Sequence, residues 1–168
     1  MKPIRTPAAR RHQRGAIAVE TALMLVLLTT FLALSSISLA IYFYQYSATQ
    51  KAVHDAALYL STAPRGEMTT AGPDGAPAAL YLARKIIANE MSGRIPHGAT
   101  LEPDILCGYR QTSGNISQKS CTVTNNQQTT QALAQINVSV DLPFANPITG
   151  RPIGWTISSY APVRYLGN

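Results

Sequence analysis

Three residues near the N-terminus have types and a spacing that define a chemistry. Gly15 closes a basic segment, Ala16 opens an apolar one, and Glu20 places a single carboxylate inside that run, within the stretch RRHQRGAIAVETALMLVLL from residue 10 to 28. On insertion scales an acid costs roughly 2.5–3.5 kcal/mol at the centre of a membrane helix and less near its end, so a carboxylate here needs a cationic partner. Nothing local supplies one. A cut after Gly15 would create an α-amino group on Ala16 and make Glu20 the fifth residue of the shortened chain. Within one helix that amine continues along the axis away from the carboxylate. Between neighbouring, axially staggered helices the two groups can meet, neutralise each other and fix register, the best-attested use of a buried ion pair.

The elements that position these residues are a leader and a span. Residues 1–15 hold Lys2, Arg5, Arg10, Arg11 and Arg14 and no acid, and they account for most of the formal charge of +6. The rest of the chain is close to neutral, which excludes nucleic acid as the main partner. From Thr21 to Ile41 the run TALMLVLLTTFLALSSISLAI carries no ionised side chain. It has about the 20 residues a helix needs to cross the hydrocarbon core. Basic residues before it, with Tyr42, Tyr44 and Tyr46 after it, match a positive-inside flank and an aromatic interfacial belt. That pattern predicts a cytoplasmic N-terminus and an outer domain beyond about residue 42. The rival reading is a cleavable secretory signal, because Ser38-Leu39-Ala40 is similar to a small-residue cleavage site.

The stretch RGAIAVETAL resembles a type IV prepilin processing site. The fifteen-residue leader and the Ala-x-x-Val-Glu form resemble most closely the TadE-like proteins of the tight-adherence (Flp) pilus system. The resemblance implies cleavage between Gly15 and Ala16 by a membrane aspartic prepilin peptidase, and an inner-membrane stage. It also implies service as a minor pilin or pseudopilin, with other pilins and the inner-membrane assembly platform as partners. Major Flp pilins are far shorter and usually show Glu-Tyr, whereas here Glu20 precedes Thr21 and a sizeable domain follows, which favours the minor, TadE-like role. The sibling TadF group stays open.

Beyond the span the expected fold class is α+β, a long N-terminal pilin-like helix followed by a short helix and a small antiparallel sheet. The expected divisions are a leader (1–15), a transmembrane and spine helix (16–61), a linker (62–77) and a periplasmic domain (78–168). Val53, Ala56, Ala57 and Leu60 recur at helical spacing, and Lys51 with Asp55 forms an i,i+4 pair. Their apolar stripe either packs under the outer domain or faces neighbouring subunits. STAPRGEMTTAGPDGAP (61–77) reads as a loop, and a helix is expected from about Ala78 to Ser92, with Pro77 in its first turn, Gly93 as its C-terminal cap, and Arg84, Lys85 and Glu90 on its solvated face. ALAQINVSVDL alternates as a half-buried strand. A loop holding Pro143, Pro147, Gly150, Pro152 and Gly154 leads to a second strand, whose Pro162 argues for an edge or a bulge. Segments near Leu106–Arg110 and Ser120–Thr124 suggest a hairpin, followed by the polar tract TNNQQTTQ as an exposed loop.

Cys107 and Cys121 flank that hairpin. In an oxidising compartment two cysteines favour a disulfide over unlinked thiols, and no second pair or His cluster completes a metal site. His12, His54 and His97 belong to no nucleophile motif. His97 could in principle meet Asp104 and a serine, but any polar outer domain offers such triples. Neither a catalytic residue nor a cofactor is expected. The alternative to the pilin reading is a signal-anchored or secreted periplasmic binding domain unrelated to pili, in which Gly15 and Glu20 are spaced by coincidence.

Overall fold

A computed structural model describes residues 9–128, 131–146 and 149–167, with side chains from Ile17 onward. Residues 1–8 of the leader, Thr129 and Thr130 of the polar tract, and Pro147 lie outside the described residues; Gly15 and Ala16 are described as backbone. The chain divides into one unit ending at Ala40 and a second beginning at Ile41. Helix α1 (Ala9–Thr62) contributes to both.

The second unit is α+β, as the sequence implies. After α1 come α2 (Arg65–Thr69), α3 (Ala78–Glu90), β1 (Asp104–Arg110), β2 (Ile116–Ser120), α4 (Val123–Gln127), β3 (Ala132–Ala145) and β4 (Pro152–Arg164). The strands form one antiparallel sheet in the order β2-β1-β3-β4. Period-two alternation puts Ile105, Cys107 and Tyr109 of β1, Ile136, Val138, Val140 and Leu142 of β3, and Ile157 of β4 in the core. Opposite them lie Val53, Ala56, Ala57 and Leu60 of α1 with Leu80, Ala83 and Ile87 of α3, all at or below 1% exposure. The stripe on α1 therefore packs under its own domain, and its alanines leave room for close packing.

The strands run longer than the sequence suggests. β3 continues through Pro143 to Ala145, and β4 begins at Pro152, so the connection shrinks to residues 146–151. Pro143 is tolerated because β3 has by then outrun β1, whose pairing stops at Ser139, and the register with β4 shifts between Pro143 and Phe144. Pro162 sits on the edge strand its chemistry demands.

Four further readings are corrected. The hairpin's second strand is Ile116–Ser120, not Ser120–Thr124, and the polar tract opens with α4. Thr122 caps α4 by accepting the Asn125 amide at 3.2 Å, which turns the chain out of the sheet. Asn126 of α4 is buried. Its Oδ1 accepts the Tyr109 hydroxyl at 2.5 Å and its Nδ2 donates to the Met68 carbonyl at 2.8 Å, joining β1, α4 and α2. Residues 62–77, read as a loop, contain α2 and a bridge between Ala71 and Pro77. α3 stops at Glu90 with Met91 as its cap, and Gly93, at φ 73°, takes the left-handed turn just beyond.

The C-terminal segment closes the end of α1. The Leu166 amide donates to the Ser61 carbonyl at 2.8 Å and the Tyr165 hydroxyl to the Ala63 carbonyl at 2.9 Å. These are among the carbonyls a helix terminus leaves unsatisfied.

Gly108 lies on β1 between β2 and β3, where a Cβ would stand 2.9 Å from Ile116 Cγ2 and 3.2 Å from Gln135 Cβ. Gly108→Val is expected to lower unfolding stability by about 1–3 kcal/mol through overpacking. Asn126→Ala is expected to cost a similar about 1–3 kcal/mol, since it strands the buried Tyr109 hydroxyl. Chemical denaturation of the two variants, compared with the parent, measures both losses.

Candidate functional site

In the first unit, every described side chain from Ile17 to Leu34 is exposed, including Ile17 at 63%, Val19 at 70% and Phe31 at 69%. Such a surface suits hydrocarbon rather than water, provided the polar groups along it are satisfied from within. They are. Thr21 donates to the Ile17 carbonyl at 2.8 Å, Thr29 to Leu25 at 2.8 Å, Thr30 to Val26 at 2.6 Å, Ser35 to Phe31 at 2.9 Å, Ser36 to Leu32 at 2.8 Å and Ser38 to Leu34 at 2.9 Å. Each hydroxyl returns to the carbonyl one turn earlier, as Ser and Thr do inside helices. The stretch is long and apolar enough to cross a membrane.

Glu20 is the exception on this surface. It is exposed, and among the described residues it joins no ion pair. Gly15, Ala16 and Glu20 follow one another in a single α-helical stretch, with Gly15 and Ala16 inside α1 rather than at its start. Four residues of helix separate Ala16 from Glu20, about 6 Å of axial rise, so an amine on Ala16 points along the axis away from that carboxylate.

In the second unit, Cys107 and Cys121 form a disulfide, with Cα atoms 5.0 Å apart. It ties β1 to the residue before the cap of α4, beside the Tyr109–Asn126 bond. Several charges of the outer unit have structural partners. Lys51 reaches Glu90 at 2.7 Å and Asp55 at 3.4 Å, and the Glu90 bond, followed by Asp55, raises the lysine above its ordinary value. Arg84 pairs with Asp74 at 2.8 Å. Arg84 and Glu90, read as a solvated face, thus fasten α3 to the turn before it and to α1. The backbone amide of His97 donates to Gly150 at 3.1 Å, and the chain at Asp104 is held by Ser139, whose hydroxyl donates to its carbonyl at 3.3 Å; His54 is exposed on α1. Among the described residues no three His, Cys, Asp or Glu side chains gather as metal ligands.

Residues 15–58 match the family model described as TadE-like protein. The match begins at Gly15, takes in Glu20 and the whole apolar run, and ends in the part of α1 that packs into the core. This segment is similar to TadE-like proteins, the family that the leader, Gly15 and Glu20 resemble. No curated protein and no solved structure matches the chain.

Two tyrosines give the outer unit a pH limit. Burial, then a 2.7 Å bond to Glu67, pushes Tyr59 up to about 12, and burial alone pushes Tyr109 to about 12. In an unfolded chain tyrosine titrates near 10. The native state thus holds these protons where the unfolded state releases them, so stability is full below about pH 10 and is lost between about 10 and 12. Alkaline unfolding followed by circular dichroism should show this fall, with Tyr59→Phe flattening its slope. For Cys107→Ser, loss of the cross-link that closes a loop of about 15 residues should cost about 3 kcal/mol and show as faster proteolysis of the outer unit.

Proposed function

We propose that this chain is a minor pilin or pseudopilin of a tight-adherence (Flp) type IV pilus. The observation that carries the reading is the TadE-like match over residues 15–58, which contains both Gly15 and Glu20 at the border of a basic leader and an apolar helix. A prepilin peptidase cuts between Gly15 and Ala16 while the apolar run holds the chain in the inner membrane, its leader cytoplasmic and its outer unit periplasmic. The new amine on Ala16 of one subunit then meets Glu20 of a neighbouring pilin. In hydrocarbon each charge alone is costly, so the stagger that joins them is favoured. Assembly register follows from that constraint, at the inner-membrane platform and among the pilins it handles.

The role is structural rather than catalytic and uses no cofactor. The outer unit's disulfide suits an oxidising periplasm. If the chain enters the fibre, this unit is the part it presents for adhesion.

Replacing Glu20 by Ala should leave insertion and leader removal intact and sharply reduce recovery of the chain with other pilins in sheared fibres or cross-linked assembly complexes. Recovery equal to the parent would remove the ion pair from the account. Gly15→Leu should leave the leader attached, seen as a slower-migrating membrane form; normal processing of that variant would place the cut elsewhere.

A further inference from the structure

Within the unit that begins at Ile41, aromatic rings form a row. Tyr46 stacks on Tyr42 with centroids 6.4 Å apart, Tyr42 meets Phe144 edge-on at 5.5 Å, and Phe144 stacks on Trp155 at 6.5 Å. Phe144 is buried, but Trp155 is 69% exposed, and Phe43, whose ring lies 5.9 Å from that of Tyr42, is exposed as well. Ile153, the register partner of Phe144, extends the apolar surface along β4.

Two cations flank this row. The Arg94 guanidinium lies 5.7 Å over the Tyr44 ring, and its Nε donates to the Tyr44 hydroxyl at 3.1 Å. Arg151 is exposed at the β3–β4 connection, where its carbonyl accepts the Asn146 amide at 2.8 Å. The loop after Arg94 is tied to that connection by the bond from the His97 amide to the Gly150 carbonyl, 3.1 Å long.

What covers these rings follows from their place in the chain. Tyr42 comes directly after Ile41, the last residue of the uncharged apolar run, so the row starts where that run reaches the edge of the hydrocarbon. Tryptophan and tyrosine concentrate at that depth because their rings are apolar while their N–H and O–H groups remain hydrated. Basic residues beside them face anionic phosphates. We propose that the ring row from Tyr42 to Trp155 rests in the headgroup region of the membrane that residues 21–41 cross, with Trp155 as its outermost ring and Arg94 and Arg151 as flanking cations. This inference rests on the membrane-spanning reading of α1.

Trp155 is the sole tryptophan, so intrinsic emission reports that position alone. The test uses the full chain in vesicles of phosphatidylcholine and phosphatidylglycerol whose acyl chains carry bromine near the headgroup or near the bilayer centre. Emission is expected to shift to the blue of free tryptophan in buffer, and to lose more intensity to the shallow bromine than to the deep one. Extraction of the same vesicles at alkaline pH measures insertion separately. A chain that resists extraction but is quenched at neither depth keeps its span and overturns the docking; blue-shifted emission without quenching would mean that protein, not lipid, covers the ring. A chain that is extracted overturns both. The double variant Arg94→Glu with Arg151→Glu should lose shallow quenching, and unchanged quenching would overturn the role given to the two cations.

Discussion

Helix α1 must satisfy two environments with one backbone, and the change between them after Ile41 governs the rest of the molecule. Up to that point every described hydroxyl bonds back to its own helix and the side chains other than Glu20 present hydrocarbon outward, so apart from that carboxylate the described segment needs nothing from the chain around it. Beyond it, Thr49, Ala52, Val53, Ala56 and Ala57 are fully buried, and the helix becomes one wall of a protein core. Small side chains on that wall are what permit the close packing of sheet and α3 against it.

The outer unit is fastened to its stretch of α1 at several levels along the helix. Near the start, the Gln45 side chain accepts the Ala145 amide at 3.4 Å; further on, Lys51 reaches across to Glu90 of α3. At the end, Tyr165 and Leu166 satisfy carbonyls from the final turn and the residue beyond it. The exposed ion pairs add little individually. Their value is positional, since they act on surfaces the apolar core has already brought together. The disulfide and the Tyr109–Asn126 bond do the same at the β2 edge of the sheet, where β2 is short and α4 has few apolar residues of its own.

Much of this was legible in the residues because hydrophobic period is a direct record of burial. β3 announces itself through Ile136, Val138, Val140 and Leu142, and the spine through Val53, Ala56, Ala57 and Leu60. The elements that escaped are those whose stability is tertiary. α4 has no apolar stripe, and Asn126 is buried only because Tyr109 and Met68 offer it partners from 17 and 58 residues away; Thr122, three residues before Asn125, was the one local sign, as a helix cap. Prolines misled at the β3–β4 connection, since Pro143 and Pro152 read as loop but sit where the ladder is irregular or begins. At the N-terminus the motif was readable, because a cut, an amine and a carboxylate are a matter of spacing. The ring row around Phe144 was not, because it joins residues about a hundred positions apart.

The ion pair at Glu20 requires a free amine on Ala16. The intact mass of the protein purified from its native membrane, with sequencing of its terminal peptide, measures this most directly. A chain beginning at Ala16 is the expected result, and it gives Glu20 the partner that the ion-pair mechanism requires. A chain beginning at Met1 or at Ile41 would contradict it, leaving Glu20 without that amine in the first case and removing both groups in the second.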